Sequence, residues 1–127
     1  RICDFIGIDT AYGETLQGQH YLEGQEFKEH TDYFEGSQLL DHDGGRGQRT
    51  YTFMIYLNEV LQGGETAFPQ LNKVFSPSPG KALIWNNLNE NASTNENTMH
   101  QAHPVIKGEK TIITKWFRQA SIGIASK

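Results

Sequence analysis

A single cysteine, Cys3, stands in the whole sequence. With no second thiol an internal disulfide is impossible, and a small disulfide-stapled secreted scaffold is excluded. The chain also lacks any run of 18 apolar residues, so no segment reads as a membrane-spanning helix. Basic charge is scarce: 11 Lys and Arg stand against 15 Asp and Glu, a net charge of −4. That balance lacks the electrostatic footprint of a general nucleic-acid binder. No internal repeat occurs at a solenoid period. A leader peptide and an initiator methionine are missing too, since the first residue is Arg1. The single cysteine leads to an expectation of a cytoplasmic chain, the acidic balance and the lack of a long apolar run to neither nucleic acid nor membrane as partner, and the oligomeric state stays open.

What is present is enough for one domain. The 127 residues are 36% hydrophobic, and the charged fraction is only 20%, which excludes intrinsic disorder. Residues 1–9 place Ile2, Cys3, Phe5 and Ile6 on one apolar helical face, with Gly7 as a stop. Beyond them the chain reads as strands. The segment TYTFMIYL at 50–57 is rich in aromatic and β-branched residues, as a central strand should be. Further strands are expected at 16–21, 26–33, 65–68, 73–76, 81–85, 99–105 and 110–118. Turn signals separate them, among them Gly63-Gly64, Pro77-Ser78-Pro79-Gly80 and Lys107-Gly108. Many short strands with little helix predict a β-sandwich or barrel. Two polar segments interrupt the pattern. Residues 35–48 hold four glycines and read as a mobile loop, and 86–98 hold six asparagines and read as an exposed one.

The chemistry begins at His30-Thr31-Asp32. On an extended strand residues i and i+2 share a face, so an imidazole and a carboxylate stand side by side. One more histidine from a distant strand makes a two-His-one-carboxylate triad, a ligand set for non-haem Fe(II) that leaves positions open for substrate and O2. The third ligand is His100 or His103. Three residues apart, the two face opposite sides of a flat strand. In the last strand Lys110, Ile112, Thr114 and Trp116 share one face, and Thr111, Ile113, Lys115 and Phe117 share the other. A lysine among apolar neighbours needs an anion to pair with, and a co-substrate carboxylate would serve. Lys115, on the opposite face, reads as a solvated surface residue.

These residues carry a resemblance. LQGQHYLEGQEFKEHTDYF (16–34), GQRTYTFMIYLNEVLQGGETAFP (47–69), PGKALIWNN (79–87) and MHQAHPVIKGEKTIITKWFR (99–118) resemble, in order, the Fe(II)/2-oxoglutarate dioxygenases of the prolyl 4-hydroxylase family, bacterial type. The resemblance implies a mainly β, double-stranded β-helix (jelly roll) core. It selects His100 as the distal ligand, because the family's histidine lies four residues before the proline and ten before the lysine. It implies that His30, Asp32 and His100 bind Fe(II), that Lys110 pairs with the distal carboxylate of 2-oxoglutarate, and that Tyr21, Thr66 and Tyr56 belong to the same co-substrate pocket. Phe27, at a position where many relatives carry tyrosine, is left with a pocket-lining role. Glu14, Arg49 and Trp116 correspond to positions that line the peptide groove, and 35–48 to a loop that folds over bound peptide.

The implied activity is 4-hydroxylation of peptidyl proline, with decarboxylation of 2-oxoglutarate to succinate and CO2, O2 as oxidant and ascorbate as a reductant. The same chemistry on another side chain or a small molecule is the alternative. A non-catalytic jelly-roll binding module has no reason to keep both the iron and the 2-oxoglutarate ligands. Family members carry further helices and a strand ahead of the position of Arg1, so the expectation is a catalytic domain over 1–127 that lacks its N-terminal supporting segment.

Overall fold

Alternation of inward and outward side chains builds the molecule. In the strand Ala82–Asn86, Leu83 and Trp85 are buried while Ala82, Ile84 and Asn86 are exposed, the period-2 pattern of a sheet with one covered face. The computed structural model describes residues 1–42 and 44–121. Ten strands follow one another: β1 (Gln17–Tyr21), β2 (Phe27–His30), β3 (Arg49–Tyr56), β4 (Gln62–Gly63), β5 (Thr66–Phe68), β6 (Lys73–Phe75), β7 (Ala82–Asn86), β8 (His100–Ala102), β9 (Val105–Lys107) and β10 (Lys110–Arg118). They form one four-stranded antiparallel sheet in the order β1-β10-β3-β7 and a second in the order β2-β8-β5-β6, with β4 and β9 as a separate pair. This is the jelly roll expected from the sequence.

Register decides what faces inward. Thr52 of β3 lies opposite Trp85 on one side and Trp116 on the other, and Tyr56 lies opposite Ile112. Lys110, Ile112 and Thr114 are buried along β10. The core joins Tyr21, Met54, Tyr56, Leu83, Trp85 and Ile112 of the first sheet to Phe68 of the second and to Val105 of β9. Burying each such side chain contributes about 1.5–3 kcal/mol.

Some elements differ from expectation. The strand at 26–33 stops at His30, so Asp32 occupies a bend beyond it. The strand at 99–105 divides into β8 and β9, because Pro104 has no N–H to give to a ladder. Within 35–48 a short helix, α2 (Ser37–His42), replaces irregular loop. The asparagine-rich 86–98 is exposed but internally ordered. Asn89 Nδ2 donates to Ser93 Oγ, Asn95 Oδ1 accepts from the Asn97 N–H, and residues 96–98 form a 3-10 turn, the local side-chain bonding typical of asparagine. The N-terminal helix α1 (Ile2–Ile6) ends at Gly7 in the left-handed region (φ 73°). Its Phe5 meets Phe53 of β3 edge to face at 6.2 Å, yet no residue of α1 is fully buried. Among the described residues no helix is long and apolar enough to cross a membrane.

Candidate metal centre and co-substrate cavity

His30 closes β2 and His100 opens β8, and the two are paired across the strands in register. Each imidazole is set by its own backbone. His30 Nδ1 donates to the Lys28 carbonyl and His100 Nδ1 to the Thr98 carbonyl, both at 2.7 Å. A carbonyl only accepts, so both Nδ1 atoms carry a proton, and the Nε2 atoms are the ones turned toward Asp32. Those two Nε2 atoms lie 3.8 and 3.5 Å from Asp32 Oδ1. His30, Asp32 and His100 are the one cluster of metal-ligating type among the described residues. Burial and the neighbouring His100 push the His30 imidazole below its ordinary pKa, which favours the neutral form a metal needs. Phe27 stacks on His30 with ring centroids 3.8 Å apart, and Trp85 packs on His100 at 4.8 Å. His103, the other histidine left open by strand geometry, turns instead to Glu65, with Nδ1 3.4 Å from the carboxylate.

The cluster lies in a cavity of about 350 Å³ whose lining also includes Tyr21, Thr66, Lys110, Arg49 and Trp116. Lys110 is 1% exposed. Its Nζ donates to the Gly64 carbonyl at 3.0 Å and sits 4.4 Å from the centre of the Tyr21 ring. Among the described residues no carboxylate forms an ion pair with it. Burial lowers its pKa to about 8, against a weak opposing pull from Glu65. An ammonium held in a largely apolar cavity without a counter-ion is suited to an anionic ligand. Tyr56, expected in this pocket, belongs to the core instead. It is fully buried, is absent from the cavity lining, and its hydroxyl meets Thr66 Oγ1 at 2.5 Å. It therefore holds Thr66 from behind.

At the other end of the cavity, Glu14 and Arg49 meet each other. Arg49 Nε and Nη2 donate to the two Glu14 carboxylate oxygens at 2.8 and 2.9 Å, a bidentate pair. Burial draws the Glu14 pKa up, but Arg49 and Arg118 outweigh it and hold the carboxyl below its usual value. Glu14 lines the adjoining cleft rather than the cavity itself. The Arg49 guanidinium lies 4.0 Å from the centre of the Trp116 ring and 4.7 Å from that of Phe34. Lys115, expected as a solvated surface residue, is half-buried and donates to the Glu14 carbonyl. The reason is the segment before β1, which continues alongside β10: Gly13 bridges Phe117 and the Glu14 N–H donates to the Trp116 carbonyl at 2.8 Å.

The family model for the 2OG-Fe(II) oxygenase superfamily matches residues 16–118. The chain belongs to the 2OG-Fe(II) oxygenase superfamily. It is 35% identical to probable prolyl 4-hydroxylase 3 of Arabidopsis thaliana over 91% of its own length and 46% of that protein. It is 32% identical to prolyl 4-hydroxylase subunit alpha-1 of Bos taurus over 94% of its own length and 22% of that protein. The chain thus spans less than half the length of these curated relatives. Among solved structures, the viral collagen prolyl hydroxylase of Paramecium Bursaria Chlorella virus-1 in its 2OG complex superposes with a TM-score of 0.79 at 26% identity, covering 94% of this chain and 69% of that one.

The residues present fit what the superfamily binds. Two imidazole Nε2 atoms and one carboxylate oxygen converge on one side of the cavity, the donor set of a non-haem Fe(II) centre. The counter-ion-free Lys110 suits the far carboxylate of 2OG. The sequence reading missed the residues behind Asp32. Thr52 Oγ1 donates to Asp32 Oδ2 at 2.7 Å, and Trp116 Nε1 donates to the same oxygen at 3.1 Å. Trp116, expected as a groove residue, thus also holds Asp32. The legible hint was parity: Thr52 shares its face of β3 with Met54 and Tyr56.

Proposed function

We propose that this chain is the catalytic core of a peptidyl-prolyl 4-hydroxylase dependent on Fe(II), 2-oxoglutarate and O2. The observation that carries the reading is the buried, counter-ion-free Lys110 in the same cavity as His30, Asp32 and His100. A metal cluster alone suits many reactions, but a metal cluster facing a buried ammonium suits a dicarboxylate that chelates with one end and is clamped at the other. Relatives described as prolyl 4-hydroxylases support proline as the target.

His30, Asp32 and His100 would hold Fe(II), which when bound would supply the redox chemistry coupling decarboxylation of 2-oxoglutarate, to succinate and CO2, with insertion of one oxygen atom into a substrate C–H bond. The protein supplies placement. Lys110 pairs with the distal carboxylate, and with the Tyr21 ring beneath and Thr66 beside it the co-substrate has one orientation. Met54, Ile112 and Ala102 complete an apolar lining that excludes water. At the cavity end Trp116 offers its ring to a proline, and Arg49, 4.0 Å from the centre of that ring, offers the N–H groups left over from its Glu14 pair to a peptide carbonyl. Ascorbate would serve as the reductant for the bound metal.

The test supplies the chain with Fe(II), 2-oxoglutarate, ascorbate and a proline-rich peptide in air. Succinate formation should rise on adding the peptide, and mass spectrometry should find one added oxygen on proline. The His100→Ala variant should give neither. Uncoupled succinate formation that no proline peptide stimulates would transfer the reading to a different substrate with the same chemistry.

A further inference from the structure

The three ligand side chains are not held alike. Each histidine is fixed locally, through its Nδ1, by the carbonyl two residues before it in its own chain segment. Asp32 has no such local hold. It lies in the bend after β2, outside any strand, and its Oδ2 is held from the opposite sheet by Thr52 of β3 and Trp116 of β10. Behind Thr52 stands Asn87, whose Nδ2 is 2.9 Å from Thr52 Oγ1. Thr52 and Asn87 are both 0% exposed.

The direction of this chain is fixed by chemistry. A carboxylate only accepts, so the single Thr52 hydroxyl proton goes to Asp32. The Thr52 oxygen must then accept, so Asn87 presents its NH2. That choice leaves Asn87 Oδ1 buried without a partner among the described residues, a cost few native groups bear without a reason. The Asn87 backbone is also pinned on both sides. Its N–H donates to the Thr50 carbonyl at 2.8 Å, and its carbonyl accepts from the Asn95 N–H at 2.9 Å. The side chain therefore has a rigid mount.

We propose that Asn87 and Thr52 are positioning residues for the metal carboxylate. Asn87 orients the Thr52 hydroxyl, and Thr52 together with Trp116 occupies Asp32 Oδ2, so that Oδ1 alone is turned toward the two Nε2 atoms. With Oδ2 so occupied, the carboxylate would offer a metal one oxygen and leave room for a chelating co-substrate. Second-layer hydrogen bonds of this kind typically alter metal affinity by about 10- to 100-fold. The inference rests on the Fe(II) reading above.

The experiment measures anaerobic Fe(II) affinity of the whole chain, with Mn(II) as a redox-inert check, beside the melting temperature of the metal-free protein. Thr52→Val keeps shape but removes the hydroxyl. Asn87→Asp keeps shape but replaces the donor with an acceptor that competes for the Thr52 proton. Both should weaken metal binding by about 10- to 100-fold, while Thr52→Ser, which restores the hydroxyl, should bind within about threefold of wild type. A metal-free melting temperature close to wild type in Asn87→Asp separates positioning from a structural defect. If Thr52→Val or Asn87→Asp binds metal as tightly as wild type, or Thr52→Ser loses as much as Thr52→Val, the positioning role is wrong while the Fe(II) reading stands. If the wild-type chain binds neither metal, both fail.

Discussion

Lys110 shows how one residue's burial prepares it for a ligand. Its drop from an ordinary 10.5 to about 8 corresponds to about 3 kcal/mol of lost preference for the charged form. Without ligand that ammonium weakens the fold at every pH below 8, where it is charged both folded and unfolded. The penalty disappears as pH rises from 8 toward 10.5, because only the unfolded chain still holds the proton there. Lys110→Met, similar in length and uncharged, should therefore melt several degrees above wild type at pH 7 without ligand, and the gap should narrow by pH 9.5. The same variant should lose 2-oxoglutarate binding. For wild type, the 2-oxoglutarate Kd should be flat below pH 8 and climb toward about tenfold per pH unit above it, because binding must then take up a proton. Titration calorimetry across this range checks both slopes. A Kd independent of pH up to 10 would remove Lys110 from the carboxylate site.

At the scale of elements, the pair β4–β9 meets closely at Gly63. Gly63 has φ +82°, and a Cβ there would come within 2.3 Å of the Pro104 carbonyl oxygen and 2.7 Å of the Ile106 nitrogen. Both neighbours are backbone and cannot step aside. The next residue, Gly64, donates its N–H to that same Pro104 carbonyl and gives its own carbonyl to Lys110. Gly63→Ala should thus destabilise the chain by more than about 2 kcal/mol in urea unfolding, and weaken 2-oxoglutarate binding in the fraction that folds. Sequence reading marked Gly63-Gly64 only as a turn. It found β3 and β10 because long runs with β-branched and aromatic alternation leave little choice of period. It placed His30 and Asp32 together by strand alternation, yet the two meet because the chain bends after His30. The mutual pairing of Glu14 with Arg49, and of Thr52 with Asp32, joins residues 35 and 20 positions apart. No local pattern encodes such pairs: Glu14 and Arg49 meet from either side of β10 within the first sheet, and Thr52 reaches Asp32 only once that sheet covers the second. Tyr56 was misplaced for a related reason: strand parity puts its side chain inward but does not say whether the interior at that level is core or cavity.

At the scale of the whole molecule, the site is a bridge between the two main sheets. His30, His100 and Thr66 come from the second sheet, whereas Lys110, Tyr21, Thr52 and Trp116 come from the first. A metal held by Asp32 and the histidines, with a dicarboxylate running from it to Lys110, links the sheets through strong contacts that the empty protein lacks. Ligands that bind only the folded state stabilise it by mass action, about 2.7 kcal/mol at 100 times Kd. For a chain of this size that is a rise of roughly 5–10 °C in melting temperature. Mn(II) alone should give one increment and 2-oxoglutarate with Mn(II) a second, while 2-oxoglutarate without metal should give little. Excess chelator should return the midpoint to its metal-free value. His100→Ala should abolish both increments, and Lys110→Met should keep the first and lose the second, because the metal end and the carboxylate end are separate contacts. Equal increments from metal and co-substrate added independently, or a second increment retained in Lys110→Met, would mean that the two ligands do not share one cavity between the sheets.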